Sequence, residues 1–121
     1  MKKIVTCLLA IMGLTSCGRQ NYESVDVAEF AQLIASPDVM LLDVRSPEEY
    51  AEGHISGAVN IDQSQADFVQ IVQSKIPTLM TIAVYCRSGH RSASAAARLA
   101  AVGYKVVNLK GGIMAWKATR R

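Results

Sequence analysis

The chain has 121 residues, 13 Lys+Arg against 10 Asp+Glu, three cysteines and 50% apolar residues. This length supports one domain, and 19% charged residues beside that apolar half exclude a disordered or fibrous chain. Lys2 and Lys3 are the only charges in residues 1–16; without them 11 cations face 10 anions, and a net +1 gives no electrostatic case for nucleic acid.

Met1-Lys2-Lys3 precedes an apolar run from Ile4 to Leu14, interrupted by Thr6 and Gly13. A helix of that length rises about 16 Å, roughly half of a bilayer's hydrocarbon core, so the run suits a secretory signal and not a span. It ends in Leu14-Thr15-Ser16-Cys17, which resembles the lipobox of bacterial lipoproteins: an aliphatic residue, two small ones, then cysteine. The resemblance implies cleavage before Cys17, lipidation of its thiol and an anchor in the bacterial cell envelope, each buried CH₂ contributing about 0.8 kcal/mol. Gly18, where Asp would mark retention at the inner membrane, implies the outer membrane, facing the periplasm. A plain cleaved signal peptide and an uncleaved anchor are the alternatives. Residues 1–16 are expected to be removed, residues 17–23 to form a polar tether, and residues 24–118 to form the domain.

Asp26 and Glu29 have the spacing of a helix cap, and Val27, Phe30, Leu33 and Ile34 share one helical face until Ser36-Pro37-Asp38 interrupts it. Val39-Met40-Leu41-Leu42 is a short continuous apolar run, as in a strand covered on both faces. Ser46-Pro47-Glu48-Glu49 supplies an N-cap, proline at the first helical position and Glu at the third, and Gly53 stops the helix. A turn at Ser56-Gly57 precedes a brief strand, Ala58 to Ile61. Phe68, Ile71, Val72 and Ile76 mark a helix over residues 65–75, ended by Pro77. Thr81 to Tyr85 is the best central strand, Arg91 to Val102 an Ala-rich helix stopped by Gly103, Tyr104 to Leu109 a strand and Gly112 to Ala118 a last helix. Strands alternating with helices predict an α/β fold with a central, mostly parallel sheet, helices on both faces and right-handed crossovers.

Cys7 lies in the segment to be removed and Cys17 is consumed by lipidation, which leaves Cys86 as the one free thiol of the mature chain. A lone thiol in an oxidising compartment is a liability unless buried or used. Cys86 opens the segment Cys86-Arg87-Ser88-Gly89-His90-Arg91-Ser92, between the central strand and the next helix, where α/β sheets bind their ligands. Gly89 permits the positive φ with which such a loop turns its N–H groups inward, and the helix N-terminus adds partial positive charge. An unperturbed thiol is only about 3% ionised at pH 7; a helix terminus worth about 1–2 kcal/mol raises that to roughly a quarter. Arg87, His90 and Arg91 raise it further. The expectation is an ionised, solvent-reachable sulfur in a ring of inward-pointing amides.

Four segments then resemble the single-domain rhodaneses, in order. They are Leu42-Asp43-Val44-Arg45; Glu49-Tyr50 with Glu52-Gly53-His54-Ile55-Ser56-Gly57-Ala58-Val59-Asn60-Ile61; Val84-Tyr85 with the Cys86–Ser92 loop; and Asn108-Leu109-Lys110-Gly111-Gly112-Ile113-Met114-Ala115-Trp116. The resemblance covers residues 22–118 and implies a rhodanese-like fold and sulfurtransferase activity. Cys86 is then the nucleophile that takes the sulfane sulfur of a small anionic donor such as thiosulfate and carries it as a persulfide to a thiol, cyanide or a protein acceptor. Arg87, Ser88, Gly89, His90, Arg91 and Ser92 form the anion-binding loop, with Arg91 the better donor guide and His90 at the rim. Asp43, Arg45 and Glu49 are structural groups near the site, Arg45 pairing with Glu48 or Glu49.

His54 has no second histidine at ligand spacing, and with no CxxC or HExxH no metal and no cofactor is expected. Trp116 reads as packing, and Lys117, Arg120 and Arg121 as a solvated tail. Two other functions compete. A rhodanese-fold phosphatase has five residues between its cysteine and arginine, whereas four separate Cys86 from Arg91. A non-catalytic sulfur-relay or binding module usually lacks the cysteine.

Overall fold

The computed structural model describes residues 21–120. The signal segment 1–16, Cys17 and the first part of the tether lie outside them. Among the described residues no helix is long and apolar enough to cross a membrane.

Ten elements alternate along the described residues: β1 (Glu23–Val25), α1 (Val27–Leu33), β2 (Val39–Asp43), α2 (Pro47–Glu52), β3 (Val59–Asn60), α3 (Phe68–Lys75), β4 (Thr81–Tyr85), α4 (His90–Ala101), β5 (Lys105–Leu109) and α5 (Gly112–Ala118). The helix starts follow from local chemistry. The Asp26 carboxylate accepts the Glu29 amide at 3.0 Å, and at α2 Ser46 and Glu49 form a reciprocal capping box behind Pro47.

The five strands form one sheet in the order β1-β5-β4-β2-β3, every pair parallel. β1 was not expected. Glu23 pairs with Val107 and Tyr22 packs on the core, so the last residues assigned to the tether belong to the domain. A three-residue edge strand flanked by polar residues is too short to show a period of its own.

Alternation in β4 divides the core. Ile82 and Val84 face α3 and α4, joined by Leu42, Phe68, Val72, Ala95, Ala96 and Leu99. Ala83 and Tyr85 face α1, α2 and α5, joined by Phe30, Leu41, Ile55, Val107, Leu109 and Ile113. From β2 the chain crosses to β3 on one side; from β4 it crosses to β5 on the other. The carboxyl ends of the adjacent strands β2 and β4 therefore flank the crevice where such sheets bind ligands. Residues 44–46 and 86–89 leave the sheet there.

Candidate active site

Residue 86 continues the alternation of β4 onto the α3/α4 face, and Cys86 is 1% exposed, packed with Val44, Val84 and Ala95. The sulfur is therefore not the openly solvent-reachable group expected from the sequence; it lies buried beneath the exposed loop residues Arg87, Ser88 and His90. Its surroundings are polar on one side. The Gly89 amide donates to Sγ at 3.1 Å and the Ser92 hydroxyl at 3.3 Å. Gly89 has φ 111° and turns the chain into α4, whose first turn carries Ser92 back over the sulfur. Burial pushes the thiol's pKa up, but the Ser92 hydroxyl and the Ser92, Gly89 and Ser88 amides outweigh it, and the thiol lies below its ordinary value.

The far side of the loop is clamped by α5. The Ile113 amide donates to the Cys86 carbonyl at 2.9 Å and the Met114 amide to the Arg87 carbonyl at 3.2 Å. A trans peptide points its C=O and N–H in opposite directions, so holding the Arg87 carbonyl on α5 aims the Ser88 amide toward the sulfur. This approach requires Gly112: at φ 59°, a Cβ there would lie 2.4 Å from the Arg87 carbonyl oxygen. The Gly111-Gly112 pair signalled a tight turn in the sequence; that the second glycine admits the backbone of the Cys86 loop was not visible there.

The charged groups pair differently from the expectation. Arg45 does not pair with Glu48 or Glu49. Its guanidinium closes back on Asp43, Nη2 at 2.7 Å from Oδ2, and donates to the Gly53 carbonyl, because both residues leave β2 on the buried side of the crevice. Tyr85 donates its hydroxyl to the same carboxylate at 2.7 Å and accepts the Ile55 amide at 3.0 Å. Burial and Asp43 push the Tyr85 phenol far above its ordinary value, so it stays a proton donor.

Glu49 instead receives Arg91 in a two-point ion pair, Nη1 to Oε1 at 2.8 Å and Nη2 to Oε2 at 2.9 Å. The Arg91 contact, against the opposing effect of partial burial and with help from the Ser46 amide and hydroxyl, lowers the Glu49 carboxyl to about 2. Arg91 thus ties α4 to α2 with its charge compensated.

Arg87, Ser88 and His90 are exposed at the mouth. Beside them Arg87, Met114, Lys117 and Ala118 line an open cleft of about 490 Å³. Lys117 therefore stands at the rim of the site and is not simply part of a tail, whereas Arg120 stacks on Trp116, 3.9 Å from the ring centroid. His54 donates from Nδ1 to the Tyr50 carbonyl at 2.9 Å and stacks on the Tyr50 ring. Among the described residues no group of three or more His, Cys, Asp or Glu is placed to hold a metal ion.

The profile of the "Rhodanese-like domain" family matches residues 26–119. A protein named sulfurtransferase from Allochromatium vinosum is 40% identical over 94 residues, covering 76% of this chain and 85% of that one. Thiosulfate sulfurtransferase GlpE of Pseudomonas entomophila is 38% identical over 93 residues, covering 75% and 82%. Among solved structures, the rhodanese-related protein of Thermoplasma volcanium superposes with a TM-score of 0.71 at 31% identity, covering 81% of this chain and 93% of that one.

Proposed function

Because the chain belongs to the rhodanese-like domain family, as a rhodanese-type sulfurtransferase, we propose that it moves sulfane sulfur through a persulfide on Cys86, with thiosulfate or a similar small anion as donor. The observation that carries this reading is the Cys86 sulfur itself, buried yet solvated by the Gly89 amide and the Ser92 hydroxyl. Such a cradle stabilises an anion without a general base.

In the first step the Cys86 thiolate attacks the terminal sulfur of the donor. The donor's S–S bond breaks, sulfite leaves with the electron pair, and Cys86 holds the outer sulfur as an anionic persulfide. In the second, a thiolate or cyanide attacks that outer sulfur and the Cys86 thiolate departs. Charge is conserved in both steps, and the loop amides serve the thiolate and the persulfide alike. Two half-reactions sharing one enzyme form give ping-pong kinetics.

Geometry supports sulfur over phosphate. Four residues separate Cys86 from Arg91, one fewer than in a rhodanese-fold phosphatase, and the shorter loop suits a single sulfur atom better than a phosphoryl group with three oxygens. Arg91, the cation nearest the base of the loop, is already neutralised by Glu49. Donor attraction then falls to the exposed Arg87, with Lys117 across the cleft. The N-terminal segment is read with the same function in view: lipidation at Cys17 would hold the enzyme to the cell envelope.

Exposure to thiosulfate followed by intact-mass measurement tests the chemistry. One added sulfur is expected on the wild type and none on Cys86→Ser; the same adduct on both proteins would overturn the reading. For the anchor, Cys17→Ala is expected to leave the membrane fraction.

A further inference from the structure

The direction in which the chain enters the sheet relates the site to the anchor. β1 runs parallel to β5 with Glu23 beside Val107, and Asn21 lines a surface hollow with Lys105, the first residue of β5. Lys105 pairs with Thr81, the first residue of β4, so the chain arrives level with the amino ends of the strands. Cys86 lies five residues further along β4, about 16 Å at the rise of a strand. Only four residue steps join Cys17 to Asn21, at most about 14 Å when fully extended. Even a tether doubled straight back along β1 would end short of the level of the catalytic sulfur.

The same end carries the most exposed apolar side chain described. Leu79 is 99% exposed in the turn Pro77–Met80, between α3 and β4. The neighbouring turn after α4 presents Val102, 41% exposed, and the two turns meet through Thr78 and Gly103. The Tyr104 hydroxyl, donating to the Ile76 carbonyl at 2.6 Å, fixes them together. Lys75, exposed at the end of α3, flanks the pair; Glu23, Glu29 and Asp38 line a cleft at this same amino end, with Lys105 beside them. A leucine on a surface says nothing by being there. This one projects at the end from which the lipid-bearing chain would arrive.

We propose that the domain stands on the membrane by the amino ends of its strands, Leu79 entering the lipid interface and the Cys86 crevice facing the aqueous phase. The inference rests on lipidation at Cys17 and deepens the functional reading: donor and acceptor reach the site from water, and a partner dissolved in the bilayer is excluded. The anchor supplies the affinity; Leu79 and Val102 select the orientation through the small apolar area they bury.

The test uses the full-length lipidated protein in phosphatidylethanolamine/phosphatidylglycerol vesicles whose acyl chains carry bromine, a short-range quencher. In a Trp116→Phe background, which keeps an aromatic ring against Phe30, the single tryptophan is introduced as Leu79→Trp or, at the active-site end, Met114→Trp. Both positions are exposed, so folding is spared. The Leu79→Trp protein is expected to lose most of its fluorescence, and the Met114→Trp protein to keep it. Membrane-bound protein with Leu79→Trp unquenched, or with Met114→Trp quenched as strongly, overturns the orientation while the anchor stands. Protein that does not associate with vesicles at all overturns both.

Discussion

At Cys86 two opposed effects meet on one atom. Burial favours the neutral thiol, and the hydrogen bonds around it favour the thiolate; the hydrogen bonds win. A group whose folded pKa is depressed keeps that stabilisation above its unfolded value and loses it as pH falls through the folded one. Alkylation of Cys86 should therefore follow a pH profile displaced to the acid side of an ordinary thiol. Among the described residues Ser92 donates the one side-chain hydrogen bond to the sulfur. A hydrogen bond to a charged group is worth about 1.5–3 kcal/mol, so Ser92→Ala is expected to move the alkylation profile to higher pH and to lower the rate at pH 7 about tenfold. An unchanged profile would assign the shift to the backbone alone.

Among the elements, α5 does more than close the domain. Its first free amides satisfy the carbonyls of residues 86 and 87, and its glycine lets the two backbones touch. Loop and helix are thus one unit joined across the sheet's carboxyl end. Gly112→Ala would force a methyl group into the Arg87 carbonyl. Overpacking of this kind costs about 1–3 kcal/mol, and the positive φ adds to it. The expected result is a lower urea midpoint together with slower Cys86 alkylation, since the Ser88 amide turns away when the Arg87 carbonyl is displaced. A stability loss with full thiol reactivity would separate the clamp from the nest.

Across the whole molecule, the Asp43–Arg45 pair is the group on which the crevice is built. Its side chains are 0% and 6% exposed, and they reach β4 through Tyr85 and the end of α2 through Gly53. Removing one partner leaves the other buried and uncompensated, a loss of about 3–5 kcal/mol. Arg45→Leu is expected to show a loss of that size in urea unfolding; a loss within about 1 kcal/mol, the range of exposed pairs, would mean that water reaches Asp43. The Glu49–Arg91 bridge, between half-buried groups, contributes less to stability and more to holding α4 against α2.

The chain by itself determined what is decided within a few residues. The capping box at Ser46, the proline at 47, the stops at Gly53 and Gly103 and the apolar run into Tyr85 are local signals, and strand–helix alternation was enough to require a parallel sheet with helices on both faces. The order Cys86-Arg87-Ser88-Gly89 also put a thiol where a strand meets a helix. What packing alone decided are the partnerships between distant residues. Arg91 lies 42 positions from Glu49, as does Tyr85 from Asp43, and no spacing rule connects them. The depth of Cys86, the approach of α5 at Gly112 and the short strand at Glu23 follow from neighbours supplied by other elements. Side chains find such partners only once the sheet order has closed, which is why local pattern was silent on them.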